Sequence, residues 1–212
     1  MVSPLDFIPI AEETGWILPI GKWVLERACA QLALWQTQTG TVPPLTMSVN
    51  LSGKQFSQPN LVEEIRALLQ KHAITPNSLK LEITESAIME HAEVVTERLL
   101  KLREIGVRLG LDDFGTGYSS LSYLHRFPLD TLKIDRSFIT RMLEGGENRE
   151  IVKTIVALGK NLGMDVVAEG IETLDQLADL RSLSCANGQG FLFARPLPED
   201  AAFELLNQKP KW

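Results

Sequence analysis

Along this chain, short apolar runs alternate with segments whose apolar residues recur every three or four positions. Ile20, Trp23, Val24, Ala28, Leu32 and Trp35 fall at helical spacing between Pro19 and about Thr39. The pair Pro43-Pro44 ends that segment. Before it, Ser3-Pro4 followed by Leu5 to Glu13 reads as an N-cap, a first-turn proline and a short helix stopped by Gly15. A repeating theme then follows. The pattern predicts strands over residues 45–52, 79–84, 107–112, 131–134, 164–168 and 190–193. It predicts helices over residues 61–72, 92–105, 119–125, 137–143, 149–162, 174–183 and 199–206.

Strands alternating with helices imply parallel pairing with right-handed crossovers. These strands are short and nearly all apolar, as expected when both faces of a sheet are covered. Six such units fit either an open doubly wound sheet or a closed barrel.

The polar residues change the picture, because at five of the strands they recur at or near the C-terminal end. Asn50 follows Met-Ser-Val, and Glu82 follows Leu-Lys-Leu with Glu85 just beyond. Asp112 and Asp113 close the third strand and lead into Gly115 and Gly117. Lys133 and Asp135 bracket the end of the fourth strand, and Glu169 ends the fifth, with Glu172 in the loop after it. Gln189 opens the expected sixth strand. A single acidic residue after a strand is usually a helix cap. A set in register at the C-terminal ends instead marks a shared site, because barrel enzymes build their active sites there.

The donor types narrow the chemistry. Two adjacent carboxylates repel when both are ionised, and a cation removes that cost. Asn50, Glu82, Asp112, Asp113 and Glu169 offer only oxygen, which selects magnesium or manganese over zinc or copper. Two such ions bridged by one carboxylate can clamp a phosphodiester and activate a water. Lys133, between Leu132 and Ile134 in a strand that reads as buried, is suited to neutralise phosphate charge or hold that water.

Composition sets the outer bounds. With 212 residues, 44% of them hydrophobic and 23% charged, the chain reads as one domain with one sizeable core. Its net charge of -6 argues against a nucleic-acid polymer as partner, while leaving room for a small anionic ligand. Cys29 and Cys185 read as reduced thiols, and there is neither a run of membrane-spanning length nor a signal-peptide pattern. The expectation is a cytoplasmic protein, or the cytoplasmic domain of a longer anchored parent.

Seven motifs lie in order along the chain. They are residues 3–15 (SPLDFIPIAEETG), 49–52 (VNLS), 81–86 (LEITES), 112–121 (DDFGTGYSSL), 132–138 (LKIDRSF), 167–173 (VAEGIET) and 188–197 (GQGFLFARPL). On these motifs the chain resembles the EAL family of bacterial cyclic-di-GMP phosphodiesterases. The resemblance implies an α/β fold, a modified (βα)8 TIM-like barrel, with about six of its eight strands in this chain. Residues 1–212 would be a single EAL domain lacking its first two strands, with the Glu-Ala-Leu signature expected upstream of Val2. The resemblance implies hydrolysis of cyclic-di-GMP to linear pGpG with a two-metal Mg2+ or Mn2+ site. Asn50, Glu82 and Asp112 would ligate the first ion, and Asp112 and Asp113 the second. Lys133 would position the nucleophilic water, Glu169 would serve as ligand or base, and Gln189 would hold the catalytic face near Glu169. Ser3, Pro4, Leu5 and Asp135 would contact substrate. Glu85, Gly115 and Gly117 would brace the loop after the third strand.

A homodimer contact through the Gly117–Leu124 loop region is also implied, as is a fused sensor, receiver or GGDEF domain in a longer parent. Without the signature Glu as a ligand, the chain as it stands is expected to bind cyclic-di-GMP weakly and to hydrolyse it slowly or not at all. Two other readings stand beside the hydrolase: a non-catalytic cyclic-di-GMP receptor, and a metal-dependent lyase or enolising barrel using Lys133 as a base.

Overall fold

Ser3 and Gly15 bound the first helix. α1 (Pro4–Thr14) begins where the Ser3 side chain accepts a hydrogen bond from the Leu5 amide, and ends where Gly15 adopts a φ of 81°. The computed structural model describes residues 2–89, 92–117, 124–208 and 210. The chain divides into two compact units, Met1–Leu109 with Ser122–Pro128, and Gly110–Leu121 with Leu129–Trp212.

In the first unit, α2 (Ile17–Thr39) buries Leu25, Cys29 and Leu32, which recur at helical spacing. It packs on β1 (Met47–Leu51) and on α4 (Leu61–Lys71). β1 pairs in parallel with β2 (Leu79–Thr84), with Asn50 opposite Glu82. Leu79, Leu81 and Ile83 of β2 are fully buried, as are Ile65 of α4 and Leu99 and Leu102 of α6 (Ala92–Glu104). Two short helices follow the strand ends: α3 (Gly53–Phe56) after β1 and α5 (Glu85–Met89) after β2. α3 opens on a capping box in which Ser52 and Gln55 satisfy each other's backbone amides.

β3 (Arg108–Phe114) starts in the first unit and continues into the second. There it pairs in parallel with β4 (Thr131–Ile134), β4 with β5 (Asp165–Ala168), and β5 with β6 (Asn187–Gly188). α7 (Arg136–Arg141), α8 (Glu147–Asn161), α9 (Leu174–Ser182) and α10 (Glu199–Gln208) complete this unit. α8 presents Val152, Ile155, Val156 and Gly159 as its buried stripe and packs on β4 and β5. Among the described residues, no helix is long and apolar enough to cross a membrane.

The strand–helix alternation appears as expected, with three corrections. The sixth strand is Asn187–Gly188, not residues 190–193. At Gly190 the backbone runs so close to Ile171 that a Cβ would stand 2.2 Å from the Ile171 carbonyl oxygen, and residues 191–193 form a turn. Gln189 therefore follows its strand rather than opening it. β1 is shorter than residues 45–52, because the Leu45 carbonyl is taken by the Gln36 side chain and Ser52 is spent as a cap. β3 runs on to Phe114 past the two aspartates. The helix expected over residues 119–125 falls largely on residues 118–123, outside the described residues.

Gly159 sets how closely α8 approaches β5. A Cβ there would stand 2.2 Å from Val166 Cγ2. Alanine is favoured over glycine in a helix by about 1 kcal/mol, whereas overpacking a filled core costs ~1–3 kcal/mol. Gly159→Ala is therefore expected to lower the urea midpoint at unchanged m-value. A raised midpoint would show that the α8–β5 spacing is not fixed at this contact.

Candidate active site

Neighbouring residues of a regular strand face opposite sides of the sheet, so Asp112 and Asp113 ought to diverge. A bulge prevents this. The register of β3 on β4 runs Gly110 to Thr131 and Leu111 to Leu132, then resumes at Phe114 opposite Ile134. One extra residue is thereby inserted in β3, at the two aspartates. Asp113 has a φ of 55°, in the left-handed region that Asp tolerates better than most residues. Its amide donates to Asp112 Oδ1 at 3.0 Å. Asp112, Asp113 and Glu169 each offer a carboxylate oxygen to a cluster within 4.8 Å.

Lys133 links this cluster. Its Nζ lies 3.0 Å from Asp112 Oδ1 and 2.5 Å from Glu169 Oε1, and its side chain is only 4% exposed. A buried ammonium is costly unless paired, and these carboxylates are its partners. Gln189 reaches the same centre: its amide N continues the β5–β6 ladder to the Ala168 carbonyl, and its side-chain Nε2 donates to Glu169 Oε1 at 2.6 Å. Three carboxylates against one ammonium leave the cluster net negative. Burial pushes the Glu169 carboxyl above its ordinary range; the Lys133 hydrogen bond opposes this, and the Asp112 and Asp113 charges add to it. Asp113 is also raised, first by burial and then by the Asp112 and Asp135 charges. An all-oxygen donor set under mutual repulsion fits a hard divalent cation.

A cleft of about 420 Å³ is lined in part by Glu169 and Gln189. Arg136, Glu172, Phe191 and Arg195 line the same cleft. The Arg195 guanidinium stands over the Phe191 ring, 5.0 Å from its centroid.

The remaining candidates divide by unit. In the first, Glu82 is buried while its register partner Asn50 is exposed, and buried Glu85 is the first residue of α5. Ser3, Pro4 and Leu5 are exposed at the start of α1. In the second, Asp135 caps α7, its Oδ1 accepting from the Ser137 amide at 2.9 Å. Gly115 has a φ of 98° and lies where a Cβ would meet the Phe138 ring at 2.8 Å, a packing demand that explains the glycine. Gly117 is described, but most of the loop expected to contact a second copy lies in residues 118–123, outside the described residues. Sequence reasoning gave no role to Arg136, Phe191 and Arg195, whose signal was that they lie within the motifs at 132–138 and 188–197. It also missed Gln176, whose signal was the Thr-x-x-Gln capping box over Thr173–Gln176.

Comparison with known proteins agrees with this geometry. The family model described as EAL domain matches residues 1–196. The bifunctional diguanylate cyclase/cyclic di-GMP phosphodiesterase MucR of Pseudomonas aeruginosa is 44% identical over 200 residues, which cover 94% of this chain and 29% of that protein. The cyclic di-GMP phosphodiesterase NbdA of the same organism is 43% identical over 206 residues, covering 97% of this chain and 26% of NbdA. The oxygen sensor protein DosP of Escherichia coli is 43% identical over 199 residues, covering 94% of this chain and 25% of DosP. The chain thus spans less than a third of the length of these curated relatives. Among solved structures, the PaMucR phosphodiesterase in complex with c-di-GMP superimposes with a TM-score of 0.90 at 44% identity, covering 95% of this chain and 81% of that one. The fold is accordingly the α/β, TIM-like barrel type of those domains, with six parallel strands among the described residues.

The raised carboxyls give the site a pH signature. A proton and a cation compete for the same oxygens, and Glu169 and Asp113 hold a proton at a pH where an exposed carboxylate has lost it. In the cation-free protein, ionising them opposes folding, so their penalty is absent below the ordinary carboxylate range and grows as pH rises through the raised values. Mn2+ affinity is expected to fall as pH drops through that raised range. Lys133→Met removes the contact that holds Glu169 down, so the fall should move to higher pH. Calorimetric titrations across the neutral to mildly acidic range check both points. An affinity independent of pH, or unshifted in Lys133→Met, contradicts this electrostatic account.

Proposed function

Because the chain belongs to the EAL domain family, we propose that it is a metal-dependent phosphodiesterase that hydrolyses cyclic di-GMP to linear pGpG. The observation that carries this reading is the buried Lys133 ammonium between the Asp112 and Glu169 carboxylates, with Asp113 turned into the same cluster by the bulge. The proposed ligand set for Mg2+ or Mn2+ is Asn50, Glu82, Asp112, Asp113 and Glu169, with Asp112 shared by two ions. When bound, such ions polarise a phosphodiester and make a bound water more acidic.

The chain's own residues do the rest. Lys133 holds the attacking water and offsets charge that develops on the phosphoryl oxygens. Glu169, with a carboxyl raised by burial, is suited to accept the proton of that water, and the Gln189 amide fixes its orientation. Attack forms one phosphorus–oxygen bond, and the bond to the ribose 3′ oxygen breaks, with a proton going to the leaving oxygen. Arg136 and Arg195 supply positive charge to the second phosphate, and the Phe191 face suits a guanine base. Ser3, Pro4, Leu5 and Asp135 are proposed as further substrate contacts, and Glu85, Gly115 and Gly117 as supports of the loop after β3. The proposal extends to a cytoplasmic site, a homodimer through residues 117–124 and a fused sensor or GGDEF domain. The breadth of the relatives beyond the matched region supports the fused domain.

Purified protein is expected to convert cyclic di-GMP to pGpG only with Mg2+ or Mn2+ present. Lys133→Ala should lower kcat by roughly 100- to 1,000-fold with little change in KM. Nucleotide chromatography of the reaction reads both. Tight binding of cyclic di-GMP without turnover under any divalent cation would assign the chain a receptor role instead. Asp112→Asn is expected to lose more Mn2+ affinity than Asp113→Asn, since a shared ligand serves two ions; equal losses would remove the shared role.

A further inference from the structure

Residues 169–173 connect β5 to α9, and three anchors hold them. Gly170, with a φ of 71°, packs so closely on α7 that a Cβ would stand 2.6 Å from Arg136 Cβ. The Ile171 amide donates to the Gln189 carbonyl at 3.1 Å, and the Ile171 carbonyl accepts from the Leu192 amide at 2.9 Å. The third anchor is the Gln176 side chain, a residue 7% exposed. Its Oε1 accepts from the Glu172 amide at 2.8 Å and the Thr173 amide at 3.1 Å, while its Nε2 donates to the Ile139 carbonyl at 3.3 Å. A capping box requires only the bond to the N-cap amide, here that of Thr173. The bonds to Glu172 and to Ile139 go beyond capping. They tie the far end of the Glu169 loop to α7, the helix that follows the Lys133 strand.

We propose that Gln176 is a positioning residue: by clamping Glu172 and Thr173 onto α7, it sets where the Glu169 carboxylate stands against Lys133 and Asp112, and keeps Glu172 at the cleft. A buried amide suits this task. It has two acceptor lone pairs and two donors in one rigid plane, and each bond it makes replaces one that water cannot supply there. Outer hydrogen bonds support metal-binding side chains in the same way. The activity part of the inference rests on the hydrolase reading above; the metal-binding part does not.

Three variants of the full chain separate positioning from capping. Gln176→Met removes all three side-chain bonds. Gln176→Glu keeps the acceptor for the two amides. Thr173→Ala deletes the other half of the capping box, the Thr173 Oγ1 that accepts from the Gln176 amide at 3.2 Å, and leaves the clamp intact. Mn2+ affinity is read by calorimetry, and kcat and KM with cyclic di-GMP. Gln176→Met should weaken Mn2+ binding about tenfold and lower kcat at nearly unchanged KM. Thr173→Ala should do neither, and Gln176→Glu, which keeps the two amide bonds but has no donor for the Ile139 carbonyl and so loses the tie to α7, should fall with Gln176→Met. Gln176→Asn, one methylene short of its partners, makes the same comparison if Gln176→Met does not fold. Equal Mn2+ losses in Thr173→Ala and Gln176→Met, or parental affinity in Gln176→Met, would reduce Gln176 to a helix cap and overturn the proposal. A parent chain that binds Mn2+ but does not hydrolyse the dinucleotide would sink the hydrolase reading, while the Mn2+ comparison would still decide the role of Gln176.

Discussion

A lysine ammonium cannot be taken out of water unless something negative comes with it. Lys133 is 3% exposed in the middle of a four-residue strand whose other members are also buried. An unpaired ammonium there would cost on the order of several kcal/mol. Its partners come from the two flanking strands, Asp112 from β3 and Glu169 from the end of β5. That requirement makes the order β3–β4–β5 part of the site. The strands must lie side by side and parallel for both carboxylates to arrive at one end.

The same arrangement creates an imbalance. The pair of contacts satisfies Lys133, but the bulge also delivers Asp113, so carboxylates outnumber the ammonium. Burial then raises Asp113 and Glu169. A structure concerned only with stability would gain by losing one of these acids, because excess buried charge opposes folding. Retaining the excess makes sense for a site that receives a cation. Helix-side packing serves the same end: Gly115 lets the β3 turn lie on Phe138, Gly170 lets the β5 loop lie on Arg136, and Gln176 bonds that loop to α7.

Much of this was legible in the order of residues. Apolar runs marked the strands because both faces are covered, and the strand-end positions of Asp112, Lys133 and Glu169 predicted that they would meet. What was not legible depended on the backbone. Alternation alone sends Asp112 and Asp113 to opposite faces, and only the extra residue in β3 with its left-handed Asp113 reunites them. Gln189 was read as opening a strand because Phe191, Leu192 and Phe193 form an apolar run. That run is a turn folded on Ile171, and the strand precedes it. Gln176 was not singled out in the sequence; its burial depends on α7, whose Ile139 carbonyl its side chain meets, and no local pattern reports that.

On the reading proposed above, this cluster is a cation site held ready by Lys133. Crystals grown with Mn2+ and measured at the manganese absorption edge test it most directly. The predicted result is an anomalous peak within coordination distance, about 2.1 Å, of oxygens from Asp112 and at least one of Asp113 and Glu169. A map with no peak at the cluster at saturating Mn2+, and with Lys133 still bridging Asp112 and Glu169, would contradict it.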